Sequence, residues 1–177
     1  MATMIEEYLI GPSGPTWPTA AIPANGTSIA AVLRWMATNQ MPVHVAKAAA
    51  TLPASTTQSL FTVTVGNVEL LALVGEVTTV IQTQANNAKL TYNPTGTGAS
   101  TDLCATLDIT ADAVGTMYSI TGIATDPLQS GVWMAHGLTY PLILGPGVIE
   151  LDCDATNTGA TQWFALYRAI ESGALMA

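Results

Sequence analysis

Charge is what this sequence has least of. Only 9% of its 177 residues are Asp, Glu, Lys or Arg, where a soluble domain usually carries about 25%. Cations are the scarcest: Arg34, Lys47, Lys89 and Arg168 stand against twelve acidic residues, for a net charge of −8. Phosphate recognition needs clustered Lys or Arg, and these four lie far apart, so nucleic acid is excluded as a partner. The same imbalance disfavours anionic membrane surfaces. Long hydrophobic runs are also missing. A membrane-spanning helix needs about 20 apolar residues in succession; Val68–Val74 and Pro141–Ile149 are too short, and Glu69 interrupts the first. No membrane partner is expected.

What remains is still strongly apolar. At 49% hydrophobic residues the chain does not have the low hydrophobicity and high charge of a disordered protein. A chain of this length buries roughly 70% of its unfolded surface, so it needs neither disulfides nor metal to fold. Its first residues, Met1-Ala-Thr-Met-Ile-Glu6-Glu7, are acidic where a secretory signal is basic. The expectation is synthesis in a cytosol, with retention there or release by lysis. Reduced thiols suit that compartment. Cys104 and Cys153 could form one disulfide at most, and period-two alternation sets Cys104 with Thr106 and Asp108 but Cys153 with Ile149 and Leu151.

Chemistry-bearing motifs are lacking as well. His44 and His136 are the only histidines and neither has a second ligand at metal-site spacing. Asp152-Cys153-Asp154 lacks the glycine and later glutamate of a calcium loop. Gly96-Thr97-Gly98 lacks the Lys-Ser/Thr of a phosphate loop, and no Gly-x-Ser-x-Gly elbow occurs. Catalytic residues, metal ligands and cofactors are therefore expected to be absent, and the chain is read as a non-enzyme.

What is present is β-pattern. The chain divides near residue 54. Residues 1–53 read as an extended N-terminal arm with one short helix at about 28–39, where Ile29, Val32, Leu33 and Met36 follow helical spacing and Pro42 prevents continuation. Gly11-Pro12-Ser13-Gly14-Pro15-Thr16-Trp17-Pro18 cannot be helix or central strand. Trp17 in that run either packs back on its own domain or anchors into a neighbouring subunit. Residues 54–177 carry about eight short strands separated by Gly, Asn, Pro and Asp, the signature of a mainly β, antiparallel sandwich or jelly-roll-like domain. In the last of these, Trp163, Ala165, Tyr167 and Ala169 share one face while Phe164, Leu166 and Ile170 share the other. A strand apolar on both sides is either central or covered from outside its own sandwich.

Several stretches resemble virion proteins of tailed bacteriophages: Leu52-Pro53-Ala54-Ser55-Thr56-Thr57-Gln58-Ser59-Leu60-Phe61-Thr62-Val63-Thr64-Val65-Gly66, then Leu73-Val74-Gly75-Glu76-Val77-Thr78-Thr79-Val80-Ile81-Gln82-Thr83-Gln84-Ala85-Asn86-Asn87, and Asp154-Ala155-Thr156-Asn157-Thr158-Gly159-Ala160 before an aromatic strand. Asp102-Leu103-Cys104 and Asp108-Ile109 add to the likeness, which runs from Leu52 to Tyr167. It is a pattern of turns and strands and transfers no active residue. It implies a structural part in a phage particle, most like a head decoration, or cement, protein. Such proteins commonly form trimers outside the capsid and bridge adjoining capsomers.

The resulting expectation is a homotrimer bound to the major capsid protein on the capsid exterior, made in the host cytoplasm. An acidic protein is repelled by packaged DNA, which favours an outer station. The residues expected to form subunit or capsid contacts are Met4, Ile5, Tyr8, Leu9, Ile10 and Trp17 of the arm, with Trp163 and Tyr167 of the last long strand. The arm can add a strand to a neighbouring sheet edge. A tail-fibre or baseplate receptor-binding module is the alternative, distinguished by its lower copy number.

Overall fold

The computed structural model describes residues 41–132, 138–171 and 173–177. The helix expected at about 28–39 lies outside these residues, and all regular structure among them is β-strand. The strands are β1 (Val43–Thr51), β2 (Thr56–Val65), β3 (Val68–Thr79), β4 (Asn87–Pro94), β5 (Thr101–Asp102), β6 (Leu107–Asp108), β7 (Met117–Ser119), β8 (Gln129–Gly131), β9 (Leu142–Leu144), β10 (Gly147–Cys153), β11 (Ala160–Ala169) and β12 (Leu175–Met176).

They form two antiparallel sheets of six strands each. The first runs β1-β11-β3-β7-β8, with β9 also on β3; the second runs β12-β2-β10-β4-β5, with β6 also on β4. The chain crosses between sheets at β1–β2, β2–β3, β3–β4, β6–β7, β9–β10, β10–β11 and β11–β12, so the two sheets are built from interleaved strands. Alternation drives the arrangement. Along β10, Ile149, Leu151 and Cys153 are buried while Val148, Glu150 and Asp152 are half-buried, the period of two that turns one face inward. The inward residues of both sheets form one core that includes Phe61, Leu70, Leu73, Leu90, Ile149, Leu151, Trp163 and Tyr167. This is a mainly β, sandwich-like body.

Trp163 organises the centre of the first sheet. Its indole N–H donates to Thr161 Oγ1 at 3.0 Å, so the buried donor is satisfied. Its ring stacks on Tyr118 with centroids 6.4 Å apart, and the Tyr118 hydroxyl donates to Asp112 Oδ2 at 2.5 Å. On β3 the ring lies over Gly75, where a Cβ would come within 2.8 Å of it. In sequence Gly75 reads as a boundary before the alternation of Val77, Thr79, Ile81 and Thr83. In the fold it is an interior position of β3, kept bare for the indole.

Two further readings change. The alternation drawn through Leu103–Ile109 sets Cys104 among polar residues, but Cys104 is buried at 1% exposure and its sulfur accepts the Leu90 N–H at 3.3 Å. The reason is a break in the strand. The chain leaves β4 after Asp102 and rejoins it at Leu107, so the intervening residues do not alternate. Val43–Thr51 is a strand, pairing with β11 from Val43↔Tyr167 to Thr51↔Ala160. Its many alanines hid it, since alanine is a poor strand signal.

Candidate functional site

The stretches that carry the sequence resemblance meet in space. Gln82–Asn87, from the β3–β4 connection into the first residue of β4, lies against Asp154–Gly159, between β10 and β11. Asn157, 3% exposed, accepts the Gln82 N–H at 3.1 Å and the Gly159 N–H at 3.0 Å through its Oδ1. Asn86, wholly buried, accepts the Ala155 N–H at 3.2 Å. Asp154 takes both the backbone N–H and the side-chain amide of Asn87, each at 2.7 Å. The Asn87 side chain, then its backbone N–H, holds the Asp154 carboxyl below the usual carboxylate value. These bonds tie the β3–β4 connection to the β10–β11 connection by local polar chemistry. Their work is structural.

The outward faces of the two sheets differ sharply. On the first sheet, Phe164 stands opposite Val74 across β11–β3 and opposite Ala46 across β1–β11, while Leu166 stands opposite His44. Leu71 adds to the same apolar stripe, and Leu71, Val74, Phe164 and Leu166 are all half-buried. His44 is exposed and stacks on Phe164, with centroids 5.8 Å apart. A polar pair closes the stripe at each end. Gln162 Nε2 donates to Glu76 Oε2 at 2.6 Å, and Arg168 donates to Glu69 Oε2 through Nε at 2.9 Å and also through Nη2.

The second sheet turns a polar surface outward. Thr57 faces Asp152 and Ser59 faces Glu150 across β2–β10. Lys89 bonds to Asp102 at 2.8 Å and sits 4.0 Å from Asp152. The bond to Asp102 leads in raising the Lys89 ammonium above its ordinary value, against the opposing effect of burial. The sandwich therefore has one greasy outer face and one hydroxyl- and carboxylate-bearing outer face.

Of the residues expected to make contacts, Met4, Ile5, Tyr8, Leu9, Ile10 and Trp17 lie outside the described residues. Trp163 and Tyr167 are each 1% exposed. Both belong to the core, because β11 is a central strand and its odd-numbered side chains point between the sheets. The side of β11 open to a partner is the even-numbered one, with Phe164 and Leu166. The signal for it was already in the two-faced apolar pattern of that strand.

Neither thiol is placed for nucleophilic chemistry. Burial, followed by the nearby Asp152 charge, pushes the Cys153 thiol up to about 12, and burial likewise raises Cys104. Among the described residues no group of three or more His, Cys, Asp or Glu is arranged to hold a metal ion, and no helix is long and apolar enough to cross a membrane. No family model matches the chain, and no curated protein or solved structure matches it.

Proposed function

We propose that this protein is a structural component of a tailed-phage particle, a decoration or cement protein that binds the outside of the capsid and bridges neighbouring capsomers as an oligomer. The observation that carries the reading is the contrast between the two outer faces. Phe164, Leu166, Leu71 and Val74 offer a surface that other subunits can cover without desolvating unpaired ions, which is costly. Glu150, Asp152, Asp102 and the hydroxyls beside them offer one that tolerates water. A cement protein needs both, one surface for assembly and one for the medium. The resemblance of Leu52–Tyr167 to phage virion proteins supports the same role, as does the rigid crossing of strands between sheets. Individual contacts need not be strong, since an oligomer engaging several capsomers gains from effective concentration.

The test is binding of the purified protein to capsids that lack it. Saturable binding that raises the temperature at which the shell opens is expected. Failure to bind such capsids, with binding to isolated tails instead, would move the protein to the receptor-binding apparatus.

A further inference from the structure

β1 is the long open edge of the first sheet. Among the described residues its nine residues pair only with β11, and seven of the nine are exposed. The other outermost strands, β5, β6, β8, β9 and β12, are two or three residues long. β2 is open beside Thr56–Leu60, where its pairing with β12 does not reach, but β2 carries no charged residue. β1 is regular at its start: Val43↔Tyr167 to Lys47↔Trp163 run in step, and the register shifts before Ala50↔Thr161. Val43, Val45 and Lys47 stand on the core side of the sheet, level with Tyr167, Ala165 and Trp163, and Val45 packs against the core. His44 and Ala46 stand on the outer side, beside Leu166 and Phe164. Lys47 is exposed and takes part in none of the ion pairs among the described residues. Such an edge presents backbone N–H and C=O groups that another strand can bond.

We propose that the N-terminal segment of a second copy adds to this edge as an antiparallel strand, Glu7–Gly11 against Val43–Lys47. One chain by itself leaves the edge exposed, so the added strand is drawn from a neighbour. The inference rests on the oligomeric part of the cement reading and names the contact that builds the oligomer. The sequence Glu7-Tyr8-Leu9-Ile10-Gly11-Pro12 matches the edge position by position. Glu7 falls opposite Lys47, on the same side of the sheet, where unlike charges attract. Leu9 falls beside Val45 on the core side. Tyr8 and Ile10 fall beside Ala46 and His44 on the outer side, prolonging the surface of Phe164 and Leu166. The added strand stops at Gly11, level with Val43 where β1 begins, because Pro12 has no N–H to give. A lysine on an edge deters strands that lack a matching acid and admits one that carries it. The contact joins two different parts of the chain, so it is heterologous and closes into a ring when the rotation between copies permits.

Disulfide mapping between full-length chains tests this. Chains carrying Tyr8→Cys are mixed with chains carrying Ala46→Cys and oxidised; Cys104 and Cys153 are buried and do not compete. A link joining one chain of each kind is expected. Tyr8→Cys with Lys47→Cys, on the other side of the strand, is expected to link roughly tenfold more slowly. By light scattering coupled to size exclusion, the wild type is expected to run as an oligomer. Lys47→Glu and Glu7→Lys are each expected to raise its dissociation constant roughly fivefold, and the two in one chain to restore it. The inference is overturned by a wild type monomeric at every concentration, or by an oligomer indifferent to the single charge reversals. It is equally overturned if residues 8 and 46 link only within a chain carrying both substitutions, or if two Ala46→Cys chains link to each other instead. Capsid binding is scored separately on the same samples. An oligomer linked in this way that ignores capsids sinks the cement reading and leaves the contact standing; capsid binding without the link does the reverse.

Discussion

Trp163 lies against Gly75, so close that a single added carbon at residue 75 would come within 2.9 Å of three atoms of the indole. The ring has nowhere to go. It is held by Thr161 on its own strand and by the Tyr118 ring beside it. Gly75→Ala is therefore expected to overpack the core and lower stability by about 1–3 kcal/mol, read from urea unfolding. Unchanged stability would show that the indole can shift after all.

Asn157 holds two backbone N–H groups where the β3–β4 and β10–β11 connections meet, those of Gln82 and Gly159. Asn157→Ala leaves both without their acceptor in a buried setting, at an expected cost of about 1–3 kcal/mol. Thr158→Ala, at an exposed position between two buried neighbours, removes only the surface bond from its hydroxyl to Gln82 Oε1 and is expected to change stability by less than about 0.5 kcal/mol. Equal effects of the two, measured by thermal unfolding, would remove Asn157 from its place in the clasp.

Acid sensitivity follows from Asp154 and Asp108. Asp154 is held low by the Asn87 side chain and backbone, and Asp108 by the Thr110 hydroxyl and backbone N–H. A depressed carboxyl contributes stability that is complete above its unfolded value, near 3.8, and is lost as pH falls through the folded value. The stability gap between wild type and Asp154→Asn is thus expected to be constant above pH 3.8 and to shrink below it. A gap that widens on acidification would contradict the assignment. Both groups are exposed, so the effect is small.

The alkaline limb has the opposite sign. The Cys153 thiol rises from 9.0 unfolded to about 12 in the fold. The unfolded chain therefore ionises first, and stability is lost as pH climbs from 9.0 toward 12. Cys153→Ala is expected to lose stability less steeply over that window. In the wild type at neutral pH both thiols are expected to react slowly with a thiol reagent until the protein unfolds. Rapid native-state labelling of Cys153 would refute its burial.

Much of the fold could be read from alternation alone. Phe61 and Val63, Leu90, Ile149 and Leu151, and Trp163 and Tyr167 all have the inward placement that a period of two requires. The failures have physical causes. Leu103–Ile109 breaks from its strand and no longer alternates, which misplaced Cys104. Gly75 looks like punctuation because a glycine kept for a neighbour's ring has the same letter as one kept for a turn. Val43–Thr51 has too many alanines to announce a strand, and only its register with β11 reveals it. The contact surface was half legible. The two-faced pattern of β11 signals both a core side and an outer side, but which aromatic residues take which role depends on where the second sheet packs, and no local pattern contains that.

The proposed station on the outside of a phage capsid is tested most directly by electron microscopy of intact particles carrying a labelled copy of this protein. Label spread over the outer surface of the head in step with the capsomers is the expected result. Label confined to the tail, or absent from the particle, would contradict it.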